Sequence, residues 1–236
     1  MSSESVFSQT PIKTLTFNTQ NAETYEFLKN GKIATILSDS EADIIALQEC
    51  TASGVAKAIK NRMTNASNFT VIEYDDVGPA LIYNNTKFTC DDYGCWTLGL
   101  KNDGSGTNYD RHAVYAKLKR VEDGAIILAV ATHYDYNSTA ANAQTTKLLE
   151  LISENFGGIR SIIMGDFNVT KNNGVFTKHE NAGYIDANTG NNDEYTYDQK
   201  IIDFIYVKGF KTSVYDVLDN NGTSDHRPVF AEIVIK

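Results

Sequence analysis

Basic residues are scarce: 21 Lys and Arg stand against 30 Asp and Glu, for a formal net charge of −9. Proteins that grip duplex nucleic acid by charge alone are more often basic. Tight non-specific binding is therefore disfavoured, although a nuclease with bound divalent cations and a local basic patch is not excluded. Cysteine is scarcer still, at Cys50, Cys90 and Cys95, an odd count that makes no disulfide framework. Cys90 and Cys95 could pair across a hairpin or stay as free thiols. The four histidines, His112, His133, His179 and His226, form no zinc-like spacing with these cysteines. No apolar run approaches membrane-spanning length. Met1–Thr10 lacks the apolar stretch of a signal peptide, so a cytoplasmic protein is expected if the chain is full length and a secreted one if a leader has been removed. No P-loop or GxGxxG is present, so nucleotide-dependent phosphoryl transfer has no support. No repeat or linker divides the 236 residues, and only three prolines interrupt them.

What is present can build a sizeable core: 42% of residues are hydrophobic and 11% aromatic. We expect one domain over residues 1–236, with residues 1–10 a flexible arm. Ile12–Asn18 alternates like a strand, Asp43–Cys50 is a short buried strand of parallel type, and Ala125–Ala131 is another. Phe69–Tyr74, Pro79–Tyr83, Phe88–Leu100, Ala113–Leu118, Lys200–Lys208, Phe210–Leu218 and Val229–Ile235 also read as strands. Thr24–Ser38, Ala52–Met63 and Ala140–Glu154 carry helical periodicity, the first with Tyr25, Phe27 and Leu28 among its apolar positions. Asn172–Gly190 is loop-rich with one short helix. Strands outnumber helices, which predicts an α/β fold of two packed, mainly antiparallel β-sheets flanked by helices.

The most informative stretch is Ser161–Thr170, SIIMGDFNVT. Ile162, Ile163 and Met164 form a buried strand, and Gly165 lets the chain turn. Asp166 and Asn168, two apart, face one side of an extended backbone. Other polar residues sit in the same way where apolar strands end: Asn18, Glu49, His133, and Asp225 with His226. Asp203 is embedded in the apolar run KIIDFIYVK, where a carboxylate needs a specific partner. Strand ends gathered at one sheet edge would make a cleft of carboxylates, histidines and amides. Carboxylate oxygens suit Mg²⁺ beside a phosphate, and a histidine can deprotonate water. Arg111, at a strand start, can hold phosphate through its fork of donors.

The order N…QE…R…TH…GDFN…IDxI…SDHRPV resembles the endonuclease/exonuclease/phosphatase superfamily, with its deoxyribonuclease I-like fold, from Asn18 to Ile235. Trp96-Thr97-Leu98, Tyr109-Asp110-Arg111 and Thr132-His133-Tyr134-Asp135 are similar to small bacterial members. The resemblance implies a four-layer α/β sandwich and a hydrolase using Mg²⁺ or Mn²⁺. It implies that Glu49 is the main metal carboxylate, with Asn18 and Asp225 close to the ion. His226 would be the general base and Asp203 the carboxylate that orients it. Asp166 and Asn168 would position water, metal and phosphate, while His133 and Arg111 would stabilise transition-state charge. Glu73 and Asp135 are the candidate carboxylate partners of His133. The implied reaction is in-line attack of water on phosphorus.

The expected function is thus a monomeric, metal-dependent phosphodiesterase or nuclease acting on a phosphate ester. A phosphomonoesterase or a phospholipid or inositol-phosphate hydrolase on the same fold is the alternative, and a non-catalytic binding module the remote one. The acidic balance tilts the expectation towards small or single-stranded substrates.

Overall fold

A computed structural model describes residues 10–236 apart from 105 and 172. In chain order the elements are β1 (Ile12–Asn18), α1 (Phe27–Asp39), β2 (Ile44–Gln48), α2 (Val55–Lys60), β3 (Phe69–Ile72), β4 (Ala80–Asn84) and β5 (Phe88–Gly99). There follow β6 (Arg111–Arg120), β7 (Ile126–His133), α3 (Ser138–Phe156), β8 (Arg160–Asp166), α4 (Gly174–Asn181), β9 (Ile185–Asp186), β10 (Asp203–Lys208), β11 (Phe210–Val217) and β12 (Val229–Ile235). The arm expected at 1–10 lies, Thr10 excepted, outside the described residues.

The strands form two six-stranded sheets, ordered β11-β12-β1-β2-β4-β3 and β5-β6-β7-β8-β10-β9. Each sheet has one parallel pair, β1 with β2 and β7 with β8; every other pairing is antiparallel. The fold is therefore the expected two-sheet α/β sandwich. Ile44, Ala46, Ala129, Met164 and Ile205 meet between the sheets. Residues of α1 and α2 such as Ile33, Leu37 and Ile59 cover the outer face of the first sheet. Leu148 of α3 and Phe176 of α4 cover the second. A strand buried on both faces must be apolar throughout, and β2, Ile-Ile-Ala-Leu-Gln, is buried at every position.

The differences from expectation are local. α1 begins at Phe27, and Tyr25, Phe27 and Leu28 lie exposed rather than packed. α2 is shorter than Ala52–Met63, because Gly54 starts it in a left-handed conformation and turns follow Lys60. β10 begins only at Asp203. Cys90 and Cys95 lie on the same strand, β5, and both are free. Burial raises both thiols, Cys95 to about 11, so neither is a ready nucleophile at neutral pH.

His179 of α4 is fully buried. Its Nδ1 donates to the Val175 carbonyl at 2.8 Å, and its ring stacks on Tyr206 with centroids 4.4 Å apart. Burial pushes its pKa from 6.5 down to about 4. A depressed folded value favours the neutral ring, so its contribution to stability is complete above pH 6.5 and lost as pH falls through 4. Denaturant titrations of wild type should lose ~3 kcal/mol over that interval from this group. His179→Phe should lack that component, and an unchanged pH dependence in the variant would contradict it.

Candidate active site

The topology dictates where the polar strand ends meet. Parallel strands β1 and β2 run in register, Asn18 opposite Gln48, so Asn18 and Glu49 emerge at the same sheet edge. In the second sheet β7 and β8 bring His133 opposite Asp166. Antiparallel β10 enters at that edge with Asp203 opposite Asp166. β12 is antiparallel to β1, which places the preceding Asp225 and His226 at the same end. The two edges lie side by side: Asn18 Nδ2, from the first sheet, donates to Asp166 Oδ2, from the second, at 3.1 Å. All nine site residues expected from sequence come together here. Seven of them form one network, Arg111 lines the same cleft, and Asp225 stands exposed at its rim.

Asp166 is the hub. Its Oδ2 also faces His133 Nε2 at 3.3 Å and His226 Nε2 at 3.8 Å. Asn168 lies 3.0 Å from His133 Nε2 through Nδ2, which also donates to the Tyr134 carbonyl at 2.9 Å. His226 Nδ1 donates to Asp203 Oδ2 at 2.9 Å. Glu49 accepts from Asn18 Nδ2 at 3.0 Å and from the Asn21 N–H at 2.8 Å. Arg111 is 9% exposed, its Nε 3.7 Å from Asp135 Oδ2. That is close enough for attraction but too long for a hydrogen bond, and the buried Nε has no hydrogen-bond partner among the described residues. The guanidinium is thus only loosely paired with Asp135 and lines the cleft, where an anion would add a second charged partner. The cleft encloses about 890 Å³.

Burial raises Asp203 most, the charge of Asp166 adds to it, and the His226 contact opposes both; the net value is about 6. For His226, burial disfavours the proton, but Asp203, Asp166 and Asp225 outweigh it and push the ring up to about 9. Burial also acts on Asp166 to raise it, yet the two histidines and the Asn168 N–H hold it below the ordinary carboxylate value. The floor is therefore a carboxylate–imidazole array whose charges are set by one another.

Two details differ from the sequence reading. β8 ends at Asp166; Asn168 has a left-handed φ of +52°, and its N–H donates to Asp166 Oδ1 at 2.8 Å. The pair is thus an Asx turn rather than an extended segment, and the turn aims both side chains at His133. The carboxylate beside His133 is Asp166, not Glu73 or Asp135. Glu73 accepts from the Lys57 N–H at the start of α2. Asp135 is fully buried and accepts from Asn108 N–H and Nδ2, each at 2.8 Å, and from the Asn137 N–H at 2.9 Å.

Gly165 has a reason other than turning. It sits inside β8, and a Cβ there would lie 2.0 Å from the Thr132 carbonyl oxygen. Only glycine lets β7 and β8 approach closely enough to set His133 against Asp166. Gly165→Ala should destabilise the fold by ~2–3 kcal/mol, as over-packing does, and should lower turnover. A thermal melt within a degree of wild type would contradict this.

Residues not singled out from sequence complete the frame. Tyr197 lays its ring against His226, centroids 4.5 Å apart. Ser224 Oγ donates to the Asn18 carbonyl at 2.7 Å and ties the SDHRPV loop to β1. Arg227 of the same motif donates to the Val217 and Leu218 carbonyls at the end of β11, so its part is structural. Oxygen donors that could hold a cation occur in two places. Glu49 and Asp225 line the cleft, and Glu49 has only neutral groups in the two hydrogen bonds above. Asp166, Asp203 and His226 also offer ligand atoms within 4.8 Å of one another, where His226 and Asp203 already share a hydrogen bond.

The Endonuclease/Exonuclease/phosphatase family matches residues 15–226, and the chain belongs to that family, whose members hydrolyse phosphoester bonds. A family protein from Bacteroides thetaiotaomicron is 21% identical, with a TM-score of 0.82 over 96% of this chain and 98% of that one. The mannosyl-6-phosphatase of the same species is 21% identical, with a TM-score of 0.80 over 95% and 100% of the two chains. D. rerio TDP2, solved with a single-strand DNA product, is 14% identical, with a TM-score of 0.77 over 96% and 100%. At these identities the likeness is one of fold. No curated relative matches the sequence.

Proposed function

We propose that this protein is a divalent-metal-dependent phosphoesterase that cleaves its substrate by direct attack of water on phosphorus, acting most naturally as a phosphodiesterase or nuclease. The observation that carries the proposal is the buried Asp203–His226 pair, with His226 Nε2 facing Asp166 beside Asn18 and Glu49. Asp203 accepts a hydrogen bond from Nδ1, which fixes the ring so that its deprotonated form presents Nε2 as the base for water. Asp166 and Asn168 orient that water and the phosphate. Arg111 and His133 meet the phosphoryl oxygens as negative charge grows on them. The leaving oxygen is protonated by His133 or by solvent.

The residues present fit a hard cation, since Glu49 and Asp225 offer carboxylate oxygens of the kind Mg²⁺ or Mn²⁺ takes, with Asn18 close by through its hydrogen bond to Glu49. When bound, such an ion supplies charge neutralisation for phosphate and leaving group and lowers the pKa of the neighbouring imidazole. Substrate class stays within phosphate esters. The relatives of like fold include a mannosyl-6-phosphatase and a protein solved with single-strand DNA, so a phosphomonoester or a phospholipid or inositol phosphate is the second reading.

The test is hydrolysis of phosphodiesters, phosphomonoesters, DNA, RNA and sphingomyelin with Mg²⁺, with Mn²⁺ and with chelator. Metal-dependent release from at least one diester supports the proposal. No hydrolysis of any of them with either metal would remove it and leave a binding module.

A further inference from the structure

We infer that Tyr109 and Tyr136 form a stacking platform for a planar ring of the nucleobase kind, carried by the group esterified to the phosphate. The inference rests on the phosphate-binding reading of the cleft and names the substrate class. Both tyrosines line the cleft, yet 56% of Tyr109 and 58% of Tyr136 is exposed. Their rings meet edge to face, centroids 6.3 Å apart at 64°. The Arg111 guanidinium lies 5.4 Å from the centre of the Tyr109 ring. A phosphate held by Arg111 therefore delivers its neighbouring substituent to the tyrosine faces. His112 lines the same cleft, and burial depresses its pKa, so it presents a further neutral ring.

The rings are exposed, but the backbone that carries them is fixed. The buried Asp135 carboxylate accepts from the Tyr109 N–H at 3.3 Å and from the Asn137 N–H, on either side of the platform. The Asp135 N–H in turn donates to Gln144 Oε1 of α3 at 2.9 Å. One carboxylate thus braces both tyrosines and attracts Arg111. A platform held in this way loses little freedom when a ring stacks on it. Aromatic faces with a guanidinium beside them are the surface that bases use.

The experiment compares the affinities of adenosine 5′-monophosphate and ribose 5-phosphate by calorimetry in Mg²⁺ buffer. The two ligands share sugar and phosphate and differ in the base. Stacking should make the nucleotide at least about tenfold tighter. Tyr109→Ala and Tyr136→Ala should each shrink that ratio, and the double variant should bring it to about one. The phenylalanine variants should keep it, and the melting temperature should not move, because both rings are exposed. Equal affinities in wild type, no detectable binding of the nucleotide, or a ratio that survives in the double alanine variant would overturn the inference. The readout is binding, so the two readings fail separately. Ring preference without hydrolysis of any ester would leave the platform and remove the enzyme, while hydrolysis without ring preference would do the reverse.

Discussion

His226→Ala is expected to lower kcat for phosphoester hydrolysis by about 10³–10⁴-fold, the loss typical of a general base within a positioned array. The size of the effect follows from the hydrogen bond between His226 Nδ1 and Asp203 Oδ2 at 2.9 Å, which fixes the ring and its tautomer. Asp203 is fully buried and reaches the cleft only through that ring. Asp203→Asn should therefore act through His226, so the two substitutions should not add. The double variant should be no slower than His226→Ala alone, whereas multiplication of the two losses would mean that Asp203 acts independently. Asp203 would lose its partner in the alanine variant, so the fold is checked by circular dichroism. His226→Asn serves as a second variant that can still bond to the carboxylate. Wild-type turnover by both variants would contradict the assignment.

Glu49→Gln should have the next largest effect, on cation affinity. Glu49 is half-buried, accepts two hydrogen bonds from neutral groups and has a left-handed φ of +61°. Non-glycine residues adopt that conformation at a cost, and such positions concentrate at functional sites. Glutamine preserves shape and acceptor geometry at one oxygen but removes the charge. Titration with Mn²⁺ should show affinity weakened by at least about 100-fold, the upper end of what loss of an outer-shell partner costs. Hydrolysis should fall in parallel and recover partly at high metal concentration. Unchanged Mn²⁺ affinity would move the cation to the Asp166–Asp203–His226 group.

Much of this site was legible because each residue type sat where it was costly without a role. Asp203 in an apolar strand demanded a partner, and His226 is that partner. The ends of β1, β2, β7 and β8 carried polar residues after buried runs, and the two parallel pairs bring them to one edge. What periodicity could not show was which apolar residues face solvent. Tyr25, Phe27 and Leu28 fit a helical stripe, yet they precede or begin α1 and lie outside the core. The partner of His133 was not legible either. It comes from the neighbouring strand through the β7–β8 register, and that register depends on the close approach Gly165 permits. Asp135, a candidate partner of His133 from the family resemblance, is not the carboxylate beside it. Its buried carboxylate instead organises the backbone at Asn108, Tyr109 and Asn137, a long-range link that no local pattern encodes.

The most direct measurement of the central claim is the fate of solvent oxygen in a single turnover. Enzyme in excess over a phosphodiester would be run in ¹⁸O-labelled water with Mg²⁺, and the products weighed by mass spectrometry. Direct attack of water oriented by His226 predicts one solvent oxygen in the phosphorus-containing product from the first turnover onward. Label in the alcohol, or a first-turnover phosphorus product carrying unlabelled oxygen drawn from a protein carboxylate, would contradict it.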